Sequence, residues 1–275
     1  MAAIQKCKEE IKTLSGERIT EEMNKIMASK KPSQGIMLLE QSGLLPYILP
    51  EVEALRMPGD KGHKDIFDHT MKVLDNTAAL RKNIWLRWAA LLHDIGKATT
   101  KNYDEKEGWT FYSHAAAGAK MVEPIFRRLH LPMDKAEYVK KLVDMHMRPT
   151  TLAEEGVTDS AIRRLIFDAG DAIDDLLVLA RCDVTTKYES RRNKIYENLL
   201  VIEKHIAEVE EKDAIRNFKN PITGDYIMKT FGIGPCKTIA ILKDAVKEAI
   251  LDGEIGNNFE EAEAFVKNVA KGLGL

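Results

Sequence analysis

Cysteine is scarce: Cys7, Cys182 and Cys236 are odd in number and far apart. This spacing excludes a disulfide framework and a cysteine-built zinc site, and it suits a reducing compartment. No apolar run approaches the roughly 20 residues of a membrane span. The opening M-A-A-I-Q-K-C-K-E-E is charged too early for a signal peptide. The expected location is therefore the cytoplasm, with no membrane partner. An excess of positive charge is lacking too. Against 43 acidic residues stand 41 lysines and arginines, a net charge of −2, so no global basic field advertises a polyanion. Internal repeats and low-complexity tracts are absent.

What is present is ordinary globular material. The 275 residues are 44% hydrophobic and 31% charged, enough for one large domain or for a core domain with appendages. Nearly every segment has helical periodicity, which predicts an all-α fold. Ile19, Met23, Ile26 and Met27 form an apolar stripe behind Thr20 as cap. Pro32-Ser33 opens a second helix that Gly43 ends. Met57–Lys64 reads as a loop. Helices are expected over 66–82 and 84–95, separated by Asn83, and a polar loop follows over 97–109. Trp109–Tyr112 is the best candidate for extended structure. Ser113 is expected to cap a helix that opens with His114 and bends at Pro124. Asp134 and Glu137 resemble a capping box for a helix ending near His146. Further helices are expected from Thr158 or Asp159 to Gly170, over 171–188, and over the charge-laced stretch 190–218. The composition breaks at K-N-P-I-T-G, and beyond it a helix from Pro235 to Leu251 and a terminal helix form a small appendage. The expected domains are a helical segment over 1–56, a main bundle over 57–218 and the appendage over 219–275.

The stretch Trp88–Lys97, W-A-A-L-L-H-D-I-G-K, stands out. Leu86, Ala89, Ala90 and His93 share a helical face, which puts the imidazole among apolar neighbours. The adjacent Asp94 needs a partner or a metal in such surroundings. Val139, Leu142, Val143 and His146 share a face, as do Leu176, Leu179, Ala180 and Asp183, and as do Ile66, His69 and Val73. His114 opens its own helix. Any one of these alone is an ordinary core residue, and Asp183 has Arg181 and Lys187 as alternative partners. Together, His69, His93, Asp94, His114, His146 and Asp183 come from five helices and point to a metal centre. Four imidazoles and two carboxylates suit one or two divalent ions among Mn, Fe, Ni, Co, Zn and Mg. Asp94 is placed to bridge two. A water between such ions would be acidified and would attack a phosphoester. The positive charge for substrate phosphate is expected from Lys97, beside Asp94 in the catalytic group, and from Arg148, Arg163 and Arg164. His63 in its loop, His130 at a helix end and His205 on a charged face are read as structural. The basic pairs, Arg191-Arg192 among them, read as solvated faces.

The order His69, His93-Asp94, Asp183, with His114 and His146 between, resembles the HD-domain metal-dependent phosphohydrolases. H-K-D-I-F-D-H-T, A-A-L-L-H-D-I-G-K and H-A-A-A-G-A match the wording of that family. The resemblance implies an all-helical bundle with phosphomonoesterase or phosphodiesterase chemistry. A longer resemblance covers nearly the whole chain. The stretch from L-S-G-E-R-I-T-E-E-M to L-L-P-Y-I-L-P-E looks like the RNA-binding segment of bacterial tRNA nucleotidyltransferases and poly(A) polymerases. V-T-D-S-A-I-R-R-L-I-F-D-A-G-D and P-I-T-G-D-Y-I-M-K-T-F-G-I-G-P read like later parts of those proteins. In them, nucleotide transfer belongs to an N-terminal α/β head with a Gly-Ser turn and a carboxylate pair. Here Asp174-Asp175 sits in a helix without such a turn, so nucleotide addition is not expected of this chain. The resemblance implies a nucleotide or tRNA-like RNA partner, with 2′,3′-cyclic phosphates and 2′-nucleotides as first substrates. The competing readings are a tRNA-binding body with an idle metal site and a nucleoside-triphosphate hydrolase.

Overall fold

The computed structural model describes residues 2–57, 65–155, 157–213 and 215–275. His63 and most of the loop expected over 57–64 lie outside the described residues. The fold is all-α. Among the described residues the strands form one antiparallel ribbon, Asn102–Asp104 with Gly108–Thr110, in the register Tyr103 opposite Trp109. The chain forms two compact units, one of Met1–Thr151 with Ala172–Leu199 and one of Leu152–Asp171 with Leu200–Leu275.

The first unit is built around the helix Ile84–Leu92, which buries every residue from Leu86 to Leu92. Asn83 is its cap, accepting a hydrogen bond from the Trp85 amide. The helices Gly16–Ala28, Ile66–Leu80 and Met133–Met145 pack against it. A helix apolar all round belongs in a core, and this one occupies it. It still carries one charge, on Arg87, only 4% exposed. The guanidinium donates to the carbonyls of Met27 and Ser29 at 2.6 and 3.0 Å, and to those of Ala78 and Arg81 at 3.1 and 3.0 Å. It thereby satisfies backbone acceptors where two neighbouring helices, Gly16–Ala28 and Ile66–Leu80, run out.

The N-terminal helices belong to this unit rather than hanging from it. Met23, Met27, Ile36 and Leu49 are fully buried. The Trp88 indole donates to Asn24 at 3.1 Å, and Asp75 accepts from the Ser33 amide and hydroxyl at 3.1 and 2.8 Å. Thr20 is not the expected cap: it lies inside Gly16–Ala28, and its hydroxyl donates to the Leu129 carbonyl instead.

Other expected caps also change. Ser113 precedes the helix His114–Arg128 but makes no capping bond, because its backbone is left-handed at φ 59°. The helix Met133–Met145 starts behind Pro132, with Asp134 in its first turn and no capping box. The helix expected from Pro235 runs Lys237–Asp252 behind Cys236.

In the second unit, Thr158 caps the helix Asp159–Ala169 by accepting from the Ala161 amide. That helix packs on Lys237–Asp252, where Arg164 pairs with Glu248 at 2.6 Å and Asp252 at 2.9 Å. Phe167 meets Phe218 edge to face. The boundary expected at 219 therefore falls inside this unit, because 152–171 and the stretch after Leu199 pack with the C-terminal helices. His205, read as solvated, pairs with Asp159 at 2.8 Å.

Candidate metal centre

Three helices of the first unit end at one place. Ile84–Leu92 is followed by His93 and Asp94, Met133–Met145 by His146, and Ile173–Asp183 finishes on Asp183 itself. Helix C-termini carry partial negative charge and unpaired carbonyls. Here the histidines answer those carbonyls: His93 Nδ1 donates to Ala90 O at 2.8 Å, and His146 Nδ1 to Val143 O at 2.6 Å. His114, opening its helix, donates from Nδ1 to Phe111 O at 2.9 Å. A carbonyl can only accept, so Nδ1 holds the proton in all three. In His114 and His146, where burial disfavours the charged ring, Nε2 then points a lone pair inward. His69 is oriented by Thr185, whose hydroxyl lies 2.7 Å from its Nδ1.

The inward atoms fall into two groups, one of His69, His93 and Asp183 and one of Asp94, His114 and His146. In the first, Asp183 Oδ1 lies 2.9 Å from His69 Nε2 and 3.4 Å from His93 Nε2. In the second, Asp94 Oδ1 lies 3.4 Å from His114 Nε2 and 3.9 Å from His146 Nε2, and the two Nε2 atoms are 3.4 Å apart. The other Asp94 oxygen turns to the first group, 3.3 Å from His93 Nε2 and 3.6 Å from His69 Nε2. One carboxylate thus addresses both groups, one oxygen each. Lys97 Nζ sits 2.7 Å from Asp94 Oδ2 and 5.9 Å from the centre of the Phe111 ring.

Electrostatics reflect this crowding. Burial works against charge on His93, but the Asp94 carboxylate and a hydrogen bond to Asp183 outweigh it and hold the imidazolium up to about 10. Burial alone would raise Asp94 and Asp183. The imidazoles facing them, with Lys97 beside Asp94, hold both well below the usual carboxylate range. Burial pushes His146 down to about 4 and lowers His114.

The residue group expected from the sequence is thus brought together: all six candidate ligands and Lys97 converge. Asp183 faces the histidines, as expected of a candidate ligand, rather than its alternative partners Arg181 or Lys187. The remaining candidates are not members of the two groups. Arg148 opens the helix Arg148–Glu155, Arg163 lines a separate pocket of the second unit, and Arg164 is paired there. Beside the centre lies a cavity of about 480 Å³, lined among the described residues by His69, Lys97, Phe111, Asp183, Tyr188 and Arg191 with neighbouring threonines. Sequence reasoning missed Thr185, Tyr188 and Arg191. The only signal was their place just past Asp183.

Comparison with known proteins agrees with this layout. Residues 66–180 match the HD domain model, and residues 1–55 match the model described as "Probable RNA and SrmB-binding site of polymerase A". The chain is 29% identical to an A-adding tRNA nucleotidyltransferase of Deinococcus radiodurans, covering 93% of this chain and 58% of that protein. It is 30% identical to a CC-adding tRNA nucleotidyltransferase of Thermus thermophilus, covering 91% and 56%. A Multifunctional CCA protein of Pseudomonas aeruginosa is 30% identical over 53% of this chain and 38% of its own length. The chain thus matches the HD domain model behind a segment matching the probable RNA- and SrmB-binding model, and resembles tRNA nucleotidyltransferases while spanning little more than half of the first two.

Proposed function

We propose that the chain is a metal-dependent phosphohydrolase acting on nucleotides or RNA ends. The observation that carries this reading is the facing of acceptors. Asp94 Oδ1 is buried without a hydrogen-bond partner among the described residues. The Nε2 lone pairs of His114 and His146 point at that same oxygen. Acceptors facing acceptors in a buried site are repulsive unless a cation lies between them. The imidazole–carboxylate donor set, with each ring oriented through its other nitrogen, fits divalent transition metals. His69, His93 and Asp183 would hold one ion and Asp94, His114 and His146 a second, with Asp94 shared.

Such ions, when bound, supply Lewis acidity to phosphoryl oxygens and acidify a coordinated water. The protein's own groups do the rest. Asp94 keeps its charge through Lys97 and the imidazoles. Lys97 lines the cavity and offers positive charge to a phosphoryl group there. Arg148, two residues past His146, is a proposed phosphate contact, and Arg163 and Arg164 are proposed contacts for a longer RNA. The test measures phosphate release from 2′,3′-cyclic nucleotides and 2′-nucleotides in Mn²⁺ or Ni²⁺. Asp94→Ala is expected to lose at least about a hundredfold; equal release by both proteins rejects the reading.

A second reading is a tRNA-binding body with an idle metal site. The RNA-binding family match and the tRNA-acting relatives favour it. It predicts a tRNA gel shift that weakens as salt rises, and no shift at low salt removes it.

A further inference from the structure

The 480 Å³ cavity lies within the ~300–1,000 Å³ range of small-molecule sites. Its floor is His69, Asp183 and Lys97, two of which belong to the metal centre. Its rim carries two aromatic rings, Phe111 and Tyr188, and one guanidinium, Arg191. Tyr188 is 74% exposed, a large ring left open to solvent. Arg191 has no hydrogen-bond or ion-pair partner among the described residues, whereas its neighbour Arg192 reaches Glu189 at 3.7 Å. Among the described residues the sole carboxylate in the lining is Asp183, already turned to the histidines. A cavity with a cation at the floor, a free cation at the rim and aromatic walls suits a planar base attached to more than one phosphate.

We propose that this cavity is a nucleoside subsite in which Arg191 holds a second phosphate, so that the preferred substrate carries one phosphate over the metal centre and another at Arg191. The chemical class is a nucleoside 3′,5′-bisphosphate, either free or as the last residue of a strand whose 3′ end is phosphorylated. Tyr188 and Phe111 present the apolar faces for the base. The assignment rests on the hydrolase reading for the phosphate at the floor.

The test compares adenosine 3′,5′-bisphosphate with adenosine 3′-monophosphate by calorimetry on the metal-loaded protein at low temperature, with recovery of intact ligand showing that no turnover consumed it. Wild type is expected to bind the bisphosphate about tenfold or more tightly. In Arg191→Gln the ratio of the two dissociation constants falls to about one, and Arg191→Lys keeps part of it. A wild-type ratio near one, or a ratio unchanged in Arg191→Gln, overturns the proposal. The same ratio is then read as kcat/KM in Mn²⁺. Absence of turnover in every protein defeats the hydrolase reading while the calorimetric ratio still decides the subsite. A short strand ending in 3′-phosphate joins the titration: if it binds at least as tightly as the bisphosphate the source is an RNA end, and if it does not bind the source is the free nucleotide. Both results, with the ratio lost in Arg191→Gln, support the subsite.

Discussion

Asp94 is the residue that the two groups of candidate ligands share, and substitutions should separate its role from those of its neighbours. Asp94→Ala removes a ligand from both groups and is expected to strip bound metal, read by elemental analysis after desalting. Asp183→Asn spares the second group, so the same assay should retain metal, at reduced occupancy. Thr185→Val leaves every ligand in place but frees the His69 ring. Loss of such an orienting partner weakens metal affinity by about ten- to a hundredfold, and competition with a chelating dye would show it. Acidity adds a further expectation. Without metal, His93 is held up to about 10 and so keeps its proton at neutral pH. An ion must displace that proton, so loading releases protons and apparent affinity climbs as pH rises from 6 towards 10. Calorimetry in buffers of different ionisation enthalpy measures the release; affinity that is flat with pH would contradict it. The convergence of the six candidate ligands was legible because the His-Asp pair and four other ionisable residues sit on helices with apolar faces. Arg191 was not, since a basic pair at the start of a charged helix looks like any solvated face until a cavity is found beside it.

At the scale of elements, the glycine in H-D-I-G-K has a steric reason. A Cβ on Gly96 would lie 2.0 Å from His114 O and 2.6 Å from Gly118 N, although the backbone there is unstrained at φ −65°. The close approach, not chain handedness, requires glycine. It seats the start of the His114 helix against the turn after Asp94. Gly96→Ala should force the two apart and destabilise the protein by about 2 kcal/mol, measured by urea denaturation. It should weaken metal held by His114 and His146 more than metal held by His69 and Asp183. Periodicity revealed the helices themselves, but not where they stop. His93 and His146 lie past the last turn, because their rings pair with the carbonyls that end the helix, a choice made by tertiary packing. The ribbon was half visible: Gly108–Thr110 overlaps the extended run expected from Trp109, while its partner Asn102–Asp104 has no apolar alternation to mark it.

For the molecule as a whole, Arg87 is the group whose loss should be felt furthest. Its guanidinium joins carbonyls from the Gly16–Ala28 end, the Ile66–Leu80 end and the residues just after each. Arg87→Met leaves the buried Met27 acceptor and its part-buried neighbours without this donor and should cost about 3 kcal/mol, seen as a lower urea midpoint. The all-α class was open to sequence reading, since every long segment repeats at helical spacing. The division into units was not, because 152–171 packs with residues far along the chain and no local signal announces that pairing.

The Arg87 clamp also bears on how this protein can be cut. Family models place an edge after residue 55, yet the physical joint there is continuous. A gene trimmed to begin at 57 would strip the cover from Trp88 and leave a guanidinium facing vacated acceptors. The helix so exposed is the one that delivers His93 and Asp94. Separating the proposed RNA binding from the proposed hydrolysis is therefore a task for point substitutions rather than scissors.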